Sequence, residues 1–437
     1  MAVVAQSSRG WVLNACSLID RGYSRCARRT QDAKSHVRCR FKRQCFQILK
    51  SHGSVNVRAA AVDAGNTEML QKTNKPPKRR KRKHSELNQG EIDAQVFHEK
   101  IRSVISEGTT SLLDSARSVG YLNGATDAVE EPLPLQECGL AALCEMAKEL
   151  PLVDEEEQEE CVQSLVDEDG CTSQVDLFSR VTENSTDQAT VVSLMGGEYV
   201  IPARTAFLLS DFTRMQPLVN YGRKFDLIVM DPPWENKSVK RSRRYSSLPS
   251  SQLKQLPINL LASANCLVVT WVTNRPSHLR CIRDELYPHW GVEVVAEWYW
   301  VKVTTSGQFV FPLDSQHKKP YEVLVLGRYR PSADHSMSSS YVPVEDSRLI
   351  VSVPSALHSQ KPSLSGDRMR ISRRARWWVR DETRSERQGV VFSVLLSHTS
   401  NSQASPSGTN EQQEAETLEV ENESRLQSIS PLSSLSL

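Results

Sequence analysis

The 437-residue sequence is poor in several features that would have placed it at once. Its ten cysteines, at positions 16, 26, 39, 45, 138, 144, 161, 171, 266 and 281, never form a C-x-x-C pair, and no His/Cys grouping has zinc-ligand spacing. No metal site is expected, and the cysteines read as reduced intracellular thiols. No apolar run approaches the roughly 20 residues needed to cross a bilayer, and the first thirty residues lack the apolar core of a secretory signal. A soluble intracellular chain without a membrane partner is the expectation. Charge of one sign is lacking too: 54 Lys+Arg against 52 Asp+Glu leave a net +2, so the total excludes nothing and the clustering carries the information.

The clusters divide the chain. Residues 1–85 are rich in Arg and Ser, with only Asp20 and Asp32 acidic among the first sixty, and they close on Lys75–His84, where seven of ten residues are Lys or Arg. A disordered basic region is expected, with Lys78–Lys83 as an importin-read address for the nucleus. A mitochondrial presequence competes for the Arg-rich start, and a solvated linker in the cytoplasm is the plainer alternative. From Glu91 the apolar spacing becomes helical, through Ile92, Val96, Ile101, Val104 and Ile105, then Leu140, Leu143, Met146 and Leu150, then Val162, Leu165 and Val166 behind the acidic run Asp154–Glu160. A small helical domain over 86–190 follows from that pattern.

Over 191–365 the period changes to short buried strands: Phe225–Met230, Leu267–Val272, Val292–Val295, Tyr299–Val303, Tyr321–Leu326 and Leu349–Val353. Helical stretches, Ser251–Ser263 and Pro276–Tyr287, lie between them. The alternation predicts an α/β domain with a mainly parallel sheet, and such sheets bind ligands beyond the carboxyl ends of their strands. The run Phe225–Met230 leads straight into Asp231-Pro232-Pro233-Trp234, which puts a carboxylate at that end, followed by a backbone stiffened by two rings.

The stretch from Phe207 to Pro362 resembles the DPPW-type N6-adenine methyltransferases, the family of the messenger-RNA adenosine methyltransferase catalytic subunit. The resemblance rests on Leu208-Leu-Ser-Asp-Phe212, Asp231-Pro-Pro-Trp-Glu-Asn-Lys-Ser-Val-Lys-Arg241, Val269-Thr-Trp-Val-Thr-Asn-Arg275, Val294-Val-Ala-Glu-Trp298 and His317-Lys-Lys-Pro-Tyr-Glu322, in that order. It implies a circularly permuted, Rossmann-like methyltransferase fold, S-adenosyl-L-methionine as donor and adenine N6 in nucleic acid as acceptor. For this branch the implied substrate is RNA, notably an internal 2′-O-methyladenosine of a small nuclear RNA, with DNA adenine as the other candidate. By position it makes Asp231, Pro232, Pro233 and Trp234 the catalytic loop. Asp211, Phe212 and Lys361 would join Asp231 at the donor, and Tyr245, Trp271, Trp300 and Lys302 would stand near the acceptor.

The chemistry suits such a loop. An adenine amino nitrogen shares its lone pair with the ring, so it is a poor nucleophile. Asp231 and the Pro232 carbonyl can each accept one N6 hydrogen and turn the lone pair toward a methyl donor. Trp234, or another aromatic nearby, could stack on a base that has left its helix, although Trp234, Trp271 and Trp300 read equally well as core residues. Lys237, Lys240, Arg241, Arg243 and Arg244 crowd the loop beside Tyr245, a basic and aromatic mixture suited to phosphate and base contacts.

Beyond Pro362 the family's donor loop, an apolar strand ending in a Phe-Ala-Arg-Asn-like turn, has no counterpart. The sequence instead carries eight Arg between Arg368 and Arg387, then Val390–Leu396, then a Ser/Gln/Glu-rich tail. A fold incomplete at its carboxyl side, with a divergent, disordered 366–437, is therefore expected. The alternative function is a catalytically impaired nucleic-acid- or partner-binding chain. Oligomeric state is not legible.

Overall fold

The computed structural model describes residues 3–17, 26–30, 33–37, 46–49, 51, 87–124, 162–165, 179–194, 197–208, 215–234, 249–315, 318–331, 343–355, 361–362 and 364. In chain order its strands are β1 (Val3–Ser7), β2 (Gly10–Leu13), β3 (Cys26–Thr30), β4 (Ala33–Val37), β5 (Val162–Ser164), β6 (Val181–Asn184), β7 (Ala189–Leu194), β8 (Gly197–Ile201), β9 (Thr205–Phe207), β10 (Phe225–Met230), β11 (Ala262–Val272), β12 (Val292–Lys302), β13 (Tyr321–Tyr329) and β14 (Leu349–Ser352). The helices are α1 (Gln89–Ser118), α2 (Gln216–Asn220), α3 (Ser250–Leu253), α4 (Ile258–Leu261) and α5 (Pro276–Arg280), the last running through a π-turn at Cys281–Leu286 into α6 (Tyr287–His289).

Seven strands make the central sheet in the order β1-β2-β14-β12-β13-β11-β10, and two smaller sheets, β4-β3-β7-β8 and β5-β6-β9, stand beside it in the pairing. The architecture is Rossmann-like α/β, with apolar side chains buried on both faces of the central sheet. One face carries Ile228, Val268, Val323 and Val351 toward α1 and Tyr287. The other carries Val229, Val269, Leu324 and Ile350 with Trp11, Trp271, Trp298 and Trp300. Burial on both faces explains the near-continuous apolar runs seen in the sequence.

The sheet is mixed rather than mainly parallel. β10/β11, β12/β14 and β14/β2 are parallel, while β11/β13, β12/β13 and β1/β2 are antiparallel. The reason lies in the connections: β12 returns directly as β13 through a long loop, with no crossover helix to reverse the chain. Two further runs resolve differently. Val292–Val295 and Tyr299–Val303 belong to one bulged strand, β12, and Ser251–Ser263 is split into α3 and α4 before Ala262 opens β11.

The expected disorder of residues 1–85 does not hold where that stretch is described. Val3–Leu13 form a hairpin that joins the central sheet, β2 pairing in parallel with β14 and the Leu349 N–H donating to Arg9 O at 2.8 Å. Short alternating apolar residues among Arg and Ser carry this strand signal, and bulk composition hides it. Gly10 has φ +146°, and a Cβ there would lie 1.9 Å from Leu349 O, so only glycine permits this approach. The Arg348 guanidinium lies 4.9 Å from the Trp11 ring centroid, and Trp11 packs on Trp298 at 5.1 Å. Lys78–Lys83 and residues 365–437 lie outside the described residues.

Nor do the described residues of 86–190 stand apart as a helical domain. α1 is one 30-residue helix, opened by a capping box in which Asn88 Oδ1 accepts the Glu91 N–H and Glu91 Oε2 accepts the Asn88 N–H, both at 3.1 Å. It lies on the central sheet through His98, Ile101, Ile105, Gly108, Leu112 and Ala116. Ile92 and Val96 are exposed, at 41% and 66%: the five-residue step from Val96 to Ile101 turns the helix by about 140°, too far for one face. Val162–Ser164 and Val181–Leu194 contribute strands, and the leucines at 140–150 fall outside the described residues.

A contrast between two glycines tests the hairpin's seating. Gly120 also has a positive φ, +81°, yet nothing lies within 4 Å of a Cβ there. Gly120→Ala should cost about 1 kcal/mol, the left-handed penalty alone, whereas Gly10→Ala should cost roughly 3 kcal/mol or more in thermal unfolding. Equal losses would mean that the hairpin does not sit on β14.

Candidate active site

The strand registers bring one set of ends together. β10 pairs in parallel with β11 up to Met230↔Thr270, so Asp231 emerges beside Trp271. β13 runs the other way, with Val272↔Val323 and Val301↔Tyr321, which puts its amino end against the carboxyl ends of β11 and β12. β14 pairs Ser352 with Lys302, and the chain after it supplies Lys361. Four carboxyl ends and one amino end therefore surround the same spot, the ligand side of an open α/β sheet.

Lys361 sits at the centre of the polar cluster. Its Nζ lies 2.9 Å from Asp231 Oδ2 and 3.4 Å from Glu322 Oε2, and 5.8 Å from the Trp271 ring centroid. Lys302 pairs with the other Glu322 oxygen and stands 4.4 Å from the Trp300 ring. The side chains are mostly enclosed: Lys361 is 10% exposed, Asp231 17% and Glu322 25%.

The electrostatics separate the two carboxylates. Burial disfavours the Glu322 charge, but the Lys361 and Lys302 ammoniums outweigh it and hold its carboxyl at about 2. Among the described residues Asp231 has only Lys361 in contact, and burial prevails, so its pKa is raised above the usual carboxylate range. Burial disfavours the Lys361 charge as well, yet Asp231 and Glu322 together raise its pKa, and it stays an ammonium. Asp231 Oδ1 accepts no hydrogen bond among the described residues, because the ammonium engages Oδ2. The Pro232 carbonyl takes the Trp234 N–H at 2.8 Å and keeps a second lone pair.

Trp234 itself is committed elsewhere. Its indole N–H donates to Trp271 O at 2.8 Å, its ring stacks on His278 at 5.0 Å, and it is buried. The stacking role considered for it gives way to the core reading, because a buried indole needs a partner for its N–H and has found one in the backbone. Trp271 and Trp300 are buried too, edge to face at 5.6 Å, with the Trp300 N–H on Ser352 Oγ at 2.9 Å. They form the floor beneath the lysines and present no open face to a base. Asp211, Phe212, Lys237, Lys240, Arg241, Arg243, Arg244 and Tyr245 lie outside the described residues. No group of His, Cys, Asp and Glu suited to a metal occurs among the described residues, and no described helix is long and apolar enough to cross a membrane.

Sequence reasoning gave Glu322 no role, although it quoted the residue. A signal was available: a carboxylate inside the apolar run Tyr321–Leu326 is costly unless paired, and here the pair is double.

Residues 225–376 match the MT-A70 family model. This segment is similar to the MT-A70 family. The matched segment opens at β10 and takes in Asp231, Glu322 and Lys361. Over 287 residues, 64% of this chain and 60% of the relative, the sequence is 51% identical to the human N(6)-adenine-specific methyltransferase METTL4. It is 36% identical to a DNA N6-methyl methyltransferase of Caenorhabditis elegans over 39% of this chain and 45% of the relative. Identity to the N6-methyladenosine RNA methyltransferase MTA1 of Pyricularia oryzae is 34%, over 38% of this chain and 46% of the relative. The chain thus spans about three-fifths of the length of the METTL4 relatives it matches.

The charge arrangement of the site predicts a direction. Lys361→Met removes the ammonium in contact with Asp231, so the Asp231 carboxyl should titrate at still higher pH, which carboxyl carbon NMR can follow. Because its folded pKa stands above the unfolded value, ionised Asp231 opposes folding once pH exceeds that unfolded value, and the variant should lose stability as pH rises through the same range. An unmoved Asp231 titration would show that Lys361 does not set its charge.

Proposed function

We propose that this protein transfers a methyl group to N6 of adenine in nucleic acid, with RNA as the preferred acceptor and DNA as the other. The observation carrying this reading is the Asp231 carboxylate, held by Lys361 through Oδ2 with no partner on Oδ1 among the described residues, at the strand end where an α/β sheet binds its ligands. The names of the relatives support the reaction, and they include both RNA and DNA methyltransferases.

The chain's own groups suffice for the acceptor half of the chemistry. Asp231 Oδ1 and the open lone pair of Pro232 O accept the two amino hydrogens, which makes the nitrogen more tetrahedral and presents its lone pair. Pro232 has no N–H, so this edge offers acceptors only. Enclosure of Asp231 keeps water from competing for the same oxygens. S-adenosyl-L-methionine is the donor we assign, and when bound it supplies an electrophilic methyl group. The residues present fit its charged end: the Lys361 ammonium suits a carboxylate, and the two acidic groups suit a sulfonium or an ammonium. Asp211 and Phe212 are assigned to the same ligand, and Lys237, Lys240, Arg241, Arg243, Arg244 and Tyr245 to the nucleic-acid strand; these assignments rest on sequence. The internal 2′-O-methyladenosine of a small nuclear RNA is the specific acceptor proposed.

A second reading has an observation in its favour. Among the described residues β10, which leads into the motif, ends the central sheet and pairs with β11 alone. An open edge beside the catalytic loop suits a chain that binds nucleic acid or a partner while lacking part of its donor site. Nucleoside mass spectrometry after incubation with donor and RNA or DNA oligonucleotides decides between the readings. Methylated N6-adenine is expected, with Asp231→Ala lowering turnover by at least about 10² and donor binding retained. Absent donor binding with intact nucleic-acid binding would establish the second reading, and a variant within twofold of the parent would remove Asp231 from the reaction. Nuclear residence through importin recognition of Lys78–Lys83 completes the proposal. Replacing those residues with Ala should send a tagged protein to the cytoplasm, and a mutant that stays nuclear would refute that address.

A further inference from the structure

The β12–β13 connection, which delivers Glu322 to the site, is fastened to α1 at both ends. Toward its start, Arg117 Nη2 donates to Ser306 O at 3.2 Å. Toward its end, Arg102 grips Asp314 with two bonds of 2.7 and 2.9 Å. One turn of α1 before the second grip is His98, 3% exposed, whose ring lies parallel to that of Tyr321 at 6.0 Å. Its Nδ1 is 3.1 Å from the Tyr321 hydroxyl, and its Nε2 is 3.4 Å from Asp314 Oδ1. Tyr321 is the residue before Glu322, and its carbonyl accepts from the Asn274 side chain. The chemistry described for the site gives His98 no part.

We propose that His98, as the neutral tautomer protonated on Nε2, is a positioning residue for the site, fixing Tyr321 and through it the Glu322 carboxylate that anchors Lys361. The tautomer follows from the partners. Asp314, locked by Arg102, can only accept, so Nε2 carries the hydrogen; Nδ1 is then an acceptor and takes the hydrogen of the buried Tyr321 hydroxyl. A proton added to Nδ1 turns it into a donor. The Tyr321 hydroxyl must then reverse, and its own hydrogen has no other partner among the described residues. The charged groups around the ring are Asp314 and Lys319 from the connection and Glu99 and Arg102 from α1. Burial first and Lys319 second lower the His98 pKa, and Asp314 and Glu99 oppose them. The neutral ring is therefore the resting form near neutrality. Its folded pKa lies below the unfolded value, so its contribution is complete above that value, about 6.5, and is lost as pH falls below it.

The test uses the full chain and two readouts. Hydrogen exchange of amides 318–324, corrected for intrinsic rates, is measured at pH 7.5 and at about pH 5, a level chosen to lie below the ordinary histidine value, in the parent, His98→Phe, His98→Gln and Tyr321→Phe. In the parent, protection should fall about fivefold on acidification, the scale of one lost hydrogen bond. His98→Phe and Tyr321→Phe should show the lowered protection at both pH values, and His98→Gln, whose amide can donate to Asp314 and accept from Tyr321 without titrating, should keep protection at both. Tyr321→Phe serves if His98→Phe does not fold. Exchange needs no activity, so an inactive parent would count against the methyltransferase reading and leave this result standing. The second readout rests on that reading: His98→Phe should lower kcat about fivefold with KM for the oligonucleotide unchanged, and His98→Gln should restore it. Parent-like protection in both His98→Phe and Tyr321→Phe, or a Gln variant as impaired as the Phe variant, would overturn the proposal.

Discussion

A lysine ammonium taken out of water must be met by anions, and the enclosure of Lys361 imposes that condition on three separate parts of the chain. Asp231 arrives from the end of β10 and Glu322 from the start of β13, while Lys361 itself follows β14. If any of these strands shifts by one residue, its side chains change faces and the cluster loses a member. The site is therefore a consequence of register, and register is set by the apolar residues that alternate between the two faces of the sheet.

That dependence reaches the first residues of the chain. β14 is short, four residues, and is held between β12 and β2. Without the hairpin at Val3–Leu13 it would be an edge, with unpaired backbone groups and half its lateral support missing. Gly10 lets β2 approach closely enough to pair, and Gly108 does the same for α1, where a Cβ would come within 2.5 Å of a Leu349 methyl group. Two glycines distant in sequence thus press on the same leucine, three residues before the end of the strand that aims Lys361.

The sequence made some of this readable and hid the rest for definite reasons. Phe225–Met230 and its DPPW ending were legible because a strand buried on both faces must be apolar throughout, and a carboxylate and two prolines at its end interrupt that pattern sharply. The hairpin was not: each strand is four or five residues long and sits in Arg- and Ser-rich surroundings. The antiparallel return of β12 into β13 was hidden because a long connection without a helix does not announce its direction. The solvent face of α1 was misread because Ile92 and Val96 are apolar, and composition alone does not say which apolar residues find a partner. Glu322 meets Lys361 across a separation no local pattern encodes. The aromatic residues lie beside the polar cluster, but their motif did not tell that packing and a backbone hydrogen bond hold Trp234 and Trp271.

The two carboxylates also explain why only one of them suits an amino group. Glu322 is met by two ammoniums, so its negative charge is spent on both and its oxygens are weak acceptors for anything further. Asp231 meets one ammonium through one oxygen, and burial raises the proton affinity of what remains. A better proton acceptor is also a better hydrogen-bond acceptor, and Oδ1 stands next to a proline carbonyl with a lone pair to spare. Lys361 bears on that difference: its ammonium opposes the rise that burial forces on the Asp231 pKa, yet engages only Oδ2 among the carboxylate's two oxygens. Glu322 in turn keeps Lys361 from answering to Asp231 alone. With a single carboxylate the ammonium would bind it more completely, so the second acid, to which sequence reasoning assigned no role, tunes the first.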